Sequence, residues 1–288
     1  MRNVAETQYR IGALERALEI LAAIGDAGEI TLGQLAARLQ IPKGSLLRHL
    51  RVLEHAGYVT RAPQAKVYSL GPALIHLGFV ARQRLRVSEV AAPAMRWLRD
   101  RYDESVHVGI LSGPDVVHVG VAPGGHAVKM AVPVGERTLA HVSALGKALL
   151  AWAPPSTLEA IVSERGLPQL TARSITDVDR LRREFEQIRE RGWAIDDEES
   201  ANGLRCVAAP VRDERDDVIA AISVSAPTSR LSRSKAREIG PVVERVGNHV
   251  SVRLGWAGDA EGAGWAAAAP WAEHATDQQP AQRIAEAI

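Results

Sequence analysis

The sequence predicts an α+β fold in two domains: a small helical unit with a β-hairpin, then a larger unit built on an antiparallel sheet. Three observations carry this. Residues 31–70, TLGQLAARLQIPKGSLLRHLRVLEHAGYVTRAPQAKVYSL, hold two short helical patterns, a tight turn and an alternating hairpin. From residue 104 the pattern changes to short β-branched runs broken by Ser-Gly-Pro, Pro-Gly-Gly and Val-Gly-Glu. Beyond that point strands and helices interleave without Gly-rich crossover loops, which favours an antiparallel sheet.

The elements follow in order. Residues 1–9 read as a loose arm, within a first part that then runs from 10 to 71. Ile11, Leu14, Leu18, Leu21 and Ala22 mark an amphipathic helix to about residue 24, followed by a turn at 25–29. Thr31 and Gln34 have capping-box spacing, and Leu32, Leu35, Ala36 and Leu39 recur at helical intervals. Pro42 disfavours helix at Ile41 and suits the first turn of a second helix, from about 43 to 56, which Gly57 closes. Leu46, Leu50 and Leu53 share one face of it, with Gly44, Arg48, Arg51 and His55 opposite. Residues 58–61 and 66–70 alternate like paired strands. Two helices joined by a tight turn, with exposed cations on the second and a hairpin after it, predict a winged helix-turn-helix. Between residues 42 and 66 the cations are Lys43, Arg48, Arg51, Arg61 and Lys66, and the only acid is Glu54. That excess suits phosphate contact, so double-stranded DNA is the expected partner.

Residues 72–86 predict a linker helix, and 87–256 the second domain, opening with a helix over 87–102. Strands are expected at 105–111, 115–121, 127–134, 193–197, 205–211 and 218–224. Helices are expected from near 143, at 156–164, 177–191 and 232–254. The tail, 257–288, is rich in Ala, Gly and Gln, and disorder is expected there.

Composition narrows the function. The chain has 288 residues and a formal net charge of +1, so the basic first domain is diluted by a near-neutral remainder. A protein that coats nucleic acid throughout is excluded. The single cysteine, Cys206, excludes an intramolecular disulfide and fits a reducing compartment. The start lacks a signal-peptide core, and no run is apolar enough to span a bilayer, so a cytoplasmic protein is expected. No Gly-x-Ser-x-Gly elbow, Walker loop or dinucleotide fingerprint occurs, and His141 near Ser143 is a weak catalytic signal. The acidic run at 196–199 lacks His partners at ligand spacing, so no metal, cofactor or enzymatic activity is expected. His107, His118 and His126 fall among expected strands, where surface or packing roles dominate.

Several segments together resemble the IclR family of bacterial transcriptional regulators. They are ALERALEIL at 13–21, Ile41-Pro42-Lys43, Leu53-Glu54, GYV at 57–59 and YSLG at 68–71. Further along come HVSALGKALL at 141–150, DDEE at 196–199, GLRCVAAPV at 203–211 and ISVS at 222–225. The resemblance runs from about residue 10 to 255. It implies a winged-helix domain, a linker helix, a GAF-like effector-binding domain, and a homodimer or dimer of dimers on operator DNA. For DNA contact, the residues and the resemblance together single out Thr31, Lys43, Gly44, Ser45, Arg48, His49, Arg51, Arg61 and Lys66. One departure is Gly44-Ser45-Leu46-Leu47-Arg48, where the family usually carries Ser-Thr-Val and then His before Arg. Gly44 lacks a hydroxyl that could reach phosphate and weakens the helix by ~1 kcal/mol relative to Ala.

The small residues at Ser143-Ala144-Leu145-Gly146 open a helix, where unpaired N–H groups and the positive helix end suit an anion. Carried over onto this chain, the family's pocket implicates Met130, Ala144, Leu145, Asp196, Leu204, Cys206, Ser223 and Ser225. Apolar walls with short polar groups suit a small organic acid. Asp196 sits awkwardly beside an anion, because two buried negative charges repel unless one is protonated or paired. It would bind a hydroxyl or brace a loop. The expected function is therefore a DNA-binding transcriptional regulator controlled by an organic-acid effector. The alternative is a constitutive regulator whose second domain only oligomerises.

Overall fold

The structure, a computed structural model, describes residues 12–62, 64–84 and 86–258. The expected arm at 1–9 and the tail from 259 onward lie outside the described residues. The chain divides into two compact units between Arg84 and Leu85.

The first unit contains α1 (Gly12–Ala27), β1 (Ile30–Thr31), α2 (Leu32–Leu39), α3 (Lys43–His55), β2 (Val59–Ala62), β3 (Val67–Leu70) and α4 (Pro72–Arg84). The capping box forms. The Gln34 N–H donates to Thr31 Oγ1 at 3.3 Å, and the Thr31 N–H donates to Gln34 Oε1 at 3.0 Å. α2 ends at Gln40, which takes the left-handed conformation at φ 54°. Leu46, Leu50 and Leu53 turn inward and pack with Ile20, Ile24, Leu35 and Tyr68. The three strands run in the order β1-β3-β2, all antiparallel. β1, only two residues long, was not legible in the sequence; Ile30 and Thr31 become a strand by pairing with Tyr68 and Val67.

Gly71 joins this unit to α4. Its N–H donates to the Tyr58 carbonyl at 2.8 Å, and a Cβ there would stand 2.2 Å from the Gly57 carbonyl oxygen. Only glycine allows that approach. The Ala73 N–H in turn donates to Gly57 O at 3.1 Å, so α4 starts on the turn that closes α3. The expected linker segment therefore groups with the first unit as far as Arg84.

The second unit comprises α5 (Arg86–Tyr102), β4 (Ser105–Ser112), β5 (Asp115–Ala122), β6 (Arg137–Leu139), α6 (Ala144–Leu150), α7 (Pro155–Arg165), α8 (Val178–Arg191), β7 (Ala194–Asp197), β8 (Leu204–Arg212), β9 (Val218–Pro227) and α9 (Arg233–Arg253). Its six strands form one sheet, ordered β6-β5-β4-β9-β8-β7, with every pairing antiparallel. The expected strand at 127–134 is absent. That stretch is loop, entered through Pro123-Gly124-Gly125 and left through Pro133, and the third strand of the hairpin forms later, at Arg137–Leu139. Side chains rather than a ladder hold the loop: Ser105 Oγ donates to Met130 O at 2.7 Å, and Lys129 Nζ donates to Gly124 O at 2.8 Å.

Alternation along the strands sends residues to two different cores. Val106, Val108, Val207, Ala209, Ile222 and Val224 pack on one face against α5 and α9. Ala208 and Cys206 face the other way, towards α6, whose every residue is buried. Gly146 allows α6 to lie so close, since a Cβ there would meet the Ala140 carbonyl oxygen at 2.1 Å.

Candidate functional site

The sheet face towards α6 carries a row of small polar side chains. Register aligns Ser105, Ser225, Cys206 and Asp196 across four adjacent strands, and the next row brings His107 beside Ser223. A β-bulge at Val108/Gly109 lets His118 pair opposite Gly109 on the same face. Between this face and the start of α6 lies a cavity of about 30 Å³.

Seven of the eight residues expected at an effector site line it: Met130, Ala144, Leu145, Asp196, Cys206, Ser223 and Ser225. Leu204 does not. It lies two residues before Cys206, ~7 Å along the strand, and pairs with Pro227 where β8 begins and β9 ends. The structure adds His118, Thr138, Ser143 and Ser200 to the lining. An inward histidine in the run DVVHVGVA was the available signal for His118, but without the bulge its facing could not be fixed. Ser200 is reached only through the loop after β7.

Local geometry assigns the polar groups. Ser143 is the N-cap of α6 and accepts from the Gly146 N–H at 3.1 Å. α6 is only seven residues long, so the expected dipole attraction there is small. Asp196 braces the following loop. Its Oδ1 accepts from the Glu199 and Ser200 N–H groups at 2.7 and 3.2 Å, and its Oδ2 accepts from Ser200 Oγ. Burial pushes the Asp196 carboxyl above its usual range, against these hydrogen bonds. Burial likewise pushes the Cys206 thiol up, so it stays protonated. Behind the wall, Lys147 on α6 makes a buried ion pair with Glu199 Oε1. Burial raises Glu199 to about 7 even so. Its Oε2 has no partner.

The two histidines are the unusual members. His107 and His118 meet edge to face, with ring centroids 5.3 Å apart. Both are buried. His118 Nε2 lies 3.3 Å from Thr138 Oγ1, while His118 Nδ1 and both His107 nitrogens have no hydrogen-bond partner. Burial holds His107 down at about 3, with the neighbouring His118 adding to it, and His118 at about 4. Both are neutral at pH 7. His126, by contrast, lies in the loop beside Asp103 at 3.3 Å. Among the described residues, no group of three or more His, Cys, Asp or Glu could hold a metal ion.

The first unit presents a second surface. Lys43, Gly44, Arg48 and Arg51 on α3 are exposed, as are Arg61 and Lys66 on the hairpin. Ser45 and His49 are half-buried, and His49 Nδ1 lies 3.0 Å from its own helix at Ser45 O. Thr31 spends its hydroxyl on the α2 cap. Arg61 lies over the Tyr68 ring, 5.8 Å from its centroid.

A winged helix-turn-helix with a basic second helix, followed by a sheet domain with a small cavity between its sheet and α6, defines a DNA-binding transcriptional regulator with an effector-binding domain. Residues 13–63 match the IclR helix-turn-helix domain, and 79–252 match the bacterial transcriptional regulator IclR C-terminal domain. The chain belongs to the IclR family, whose members are regulators and not enzymes. It is 34% identical to the HTH-type transcriptional regulator BhcR of Paracoccus denitrificans, over 86% of this chain and 88% of that one. It is 33% identical to the HTH-type transcriptional repressor AllR of Escherichia coli, over 84% and 90%. An IclR homologue from Microbacterium hydrocarbonoxydans, solved with 4-hydroxybenzoate, superposes with a TM-score of 0.72 at 23% identity, covering 84% of this chain and 98% of that one. No helix among the described residues is long and apolar enough to cross a membrane.

Proposed function

We propose that this protein is a cytoplasmic, effector-controlled regulator, acting as a homodimer or dimer of dimers, whose C-terminal cavity binds a small organic acid. The observation that carries the reading is the polar row Ser225, Cys206 and Asp196, drawn from three adjacent strands and bordering, with His118 and Ser223, one cavity beside the start of α6. A sheet face that only had to pack would not gather hydroxyl, thiol, carboxyl and imidazole groups there. The Microbacterium homologue's 4-hydroxybenzoate supports a carboxylic acid as the ligand class.

In this reading α3 enters the major groove, with Arg48 and Arg51 reaching base edges or phosphates and Ser45 and Lys43 near them. Gly44 brings the backbone close, Thr31 and His49 flank the contact, and Arg61 and Lys66 hold the DNA backbone at the wing. The effector shifts operator affinity by a coupling of ~1–3 kcal/mol, and operator DNA shifts effector affinity equally.

The small volume of the cavity favours a second reading. At about 30 Å³ it holds no more than one or two waters. A constitutive regulator whose second domain only oligomerises would need nothing larger. Sequences bound by the protein would be selected from a random duplex pool, and their affinity measured with and without carboxylic acids. An acid that changes operator affinity supports the effector reading. Unchanged affinity across the acid panel supports the constitutive one.

A further inference from the structure

The cavity poses a charge problem. An acid at neutral pH arrives as a carboxylate, and among the described residues no lysine or arginine lines the cavity. Lys147, the nearest cation behind the wall, is already paired with Glu199. Cys206 is a protonated thiol and Asp196 an acid. Glu136, next to the strand end that His118 joins, is exposed to solvent. Burying an uncompensated carboxylate beside these groups is costly. Either a proton comes in with it or the site does not bind anions.

Two groups lining the cavity could take that proton. Asp196 is occupied, since its two oxygens already accept from Glu199 N–H, Ser200 N–H and Ser200 Oγ. His118 is open: it lines the cavity, and its buried Nδ1 has no partner. His107, wholly buried and with neither ring nitrogen bonded, stands edge-on to it at 5.3 Å. Three buried imidazole nitrogens without a partner, His118 Nδ1 and both of His107, cost stability in the empty protein. An anion beside them would recover that cost.

Resting on the effector reading above, we propose that the pocket takes its carboxylate ligand together with one proton from solvent, carried by the His118 imidazole. His107 stands behind it and stays neutral, because a second cation 5.3 Å away would be repelled. The bound state is then an imidazolium–carboxylate pair, neutral as a whole. His118 thereby sets the ligand class, favouring acids over neutral isosteres of the same shape.

The test is calorimetric titration of the full-length protein with 4-hydroxybenzoate, benzoate and pyruvate, and with the neutral amide of each. Each titration is run in two buffers of different ionisation enthalpy, between about pH 8 and about pH 6. Uptake approaching one proton per bound acid is expected, with affinity rising by up to about tenfold per pH unit as pH falls. The amides should bind weakly and take up none. In protein labelled with ¹⁵N-histidine, one imidazole should become doubly protonated on saturation. His118→Gln should abolish the uptake. Should that variant fail to fold, the labelled wild-type spectrum decides alone. Acid binding with no proton uptake overturns the inference and leaves the effector reading standing, as does uptake that survives His118→Gln. No binding by any acid overturns the effector reading, and the inference with it.

Discussion

Glu199→Gln should flatten a pH dependence that the wild-type protein carries. Glu199 is buried, with one oxygen on Lys147 and the other without a partner. Burial lifts its carboxyl from 4.5 to about 7, outweighing the pull of Lys147 in the other direction. Between about pH 4.5 and 7 the folded chain therefore keeps a proton that the unfolded chain has released. Stability must fall as pH rises through that window and level off above it. A displacement of about 2.5 pH units, at ~1.4 kcal/mol each, sets the loss at ~3 kcal/mol. Other groups titrate nearby, and His107 and His118 work in the opposite sense below about pH 6.5, where the unfolded chain gains protons that the buried rings refuse. Those contributions are common to both proteins and cancel in the difference. Urea unfolding followed by tryptophan fluorescence gives a readout free of the first unit, because all six tryptophans lie at residue 97 or beyond in the sequence and the first unit ends at Arg84. The difference in stability between wild type and variant should change by ~3 kcal/mol from about pH 4.5 to 7.5. Parallel curves would refute the reasoning, since they would mean that the carboxyl is not desolvated. An offset between the curves bears on the lost ion pair only.

Three further outcomes are expected. Arg48→Ala, at an exposed site on α3, should weaken binding to a selected operator by ~1–3 kcal/mol while circular dichroism stays unchanged; undiminished binding would remove Arg48 from the interface. Thr31→Ala should cost ~1 kcal/mol by opening the cap of α2, visible by circular dichroism but silent in tryptophan fluorescence; a fluorescence shift would contradict the division into units. Gly146→Ala sets a methyl against the Ala140 carbonyl and should destabilise the second unit by several kcal/mol, ~3 or more; a stable variant with unchanged affinity for a bound acid would show that α6 can be displaced freely.

Much of this was legible in the sequence because local chemistry decided it. The cap at Thr31, the break at Pro42 and the stop at Gly57 are each set by residues within one turn of the boundary they make. The tertiary features were less legible. Residues 127–134 have the β-branched look of a strand, yet Pro133 and the preceding Pro-Gly-Gly leave them as a loop held by Ser105 and Lys129. β1 exists only because β3 passes beside it. The cavity's serines were visible as an alternating pair on β9. Which way His118 faces depends on a bulge in β5 itself, where Val119 is the extra residue opposite Val108 and Gly109, and the alternation of the run alone does not reveal it.

The sheet of the second unit is a wall one residue thick with both sides in use. On β9, Ser223 and Ser225 border the cavity, while Val224 between them is packed into the layer beneath α5 and α9. Nothing can push on one side of such a partition and leave the other undisturbed. Whatever widens the space by the serines must be taken up by the valine layer, and so by α5, the helix whose first residue, Arg86, comes two positions after the end of α4.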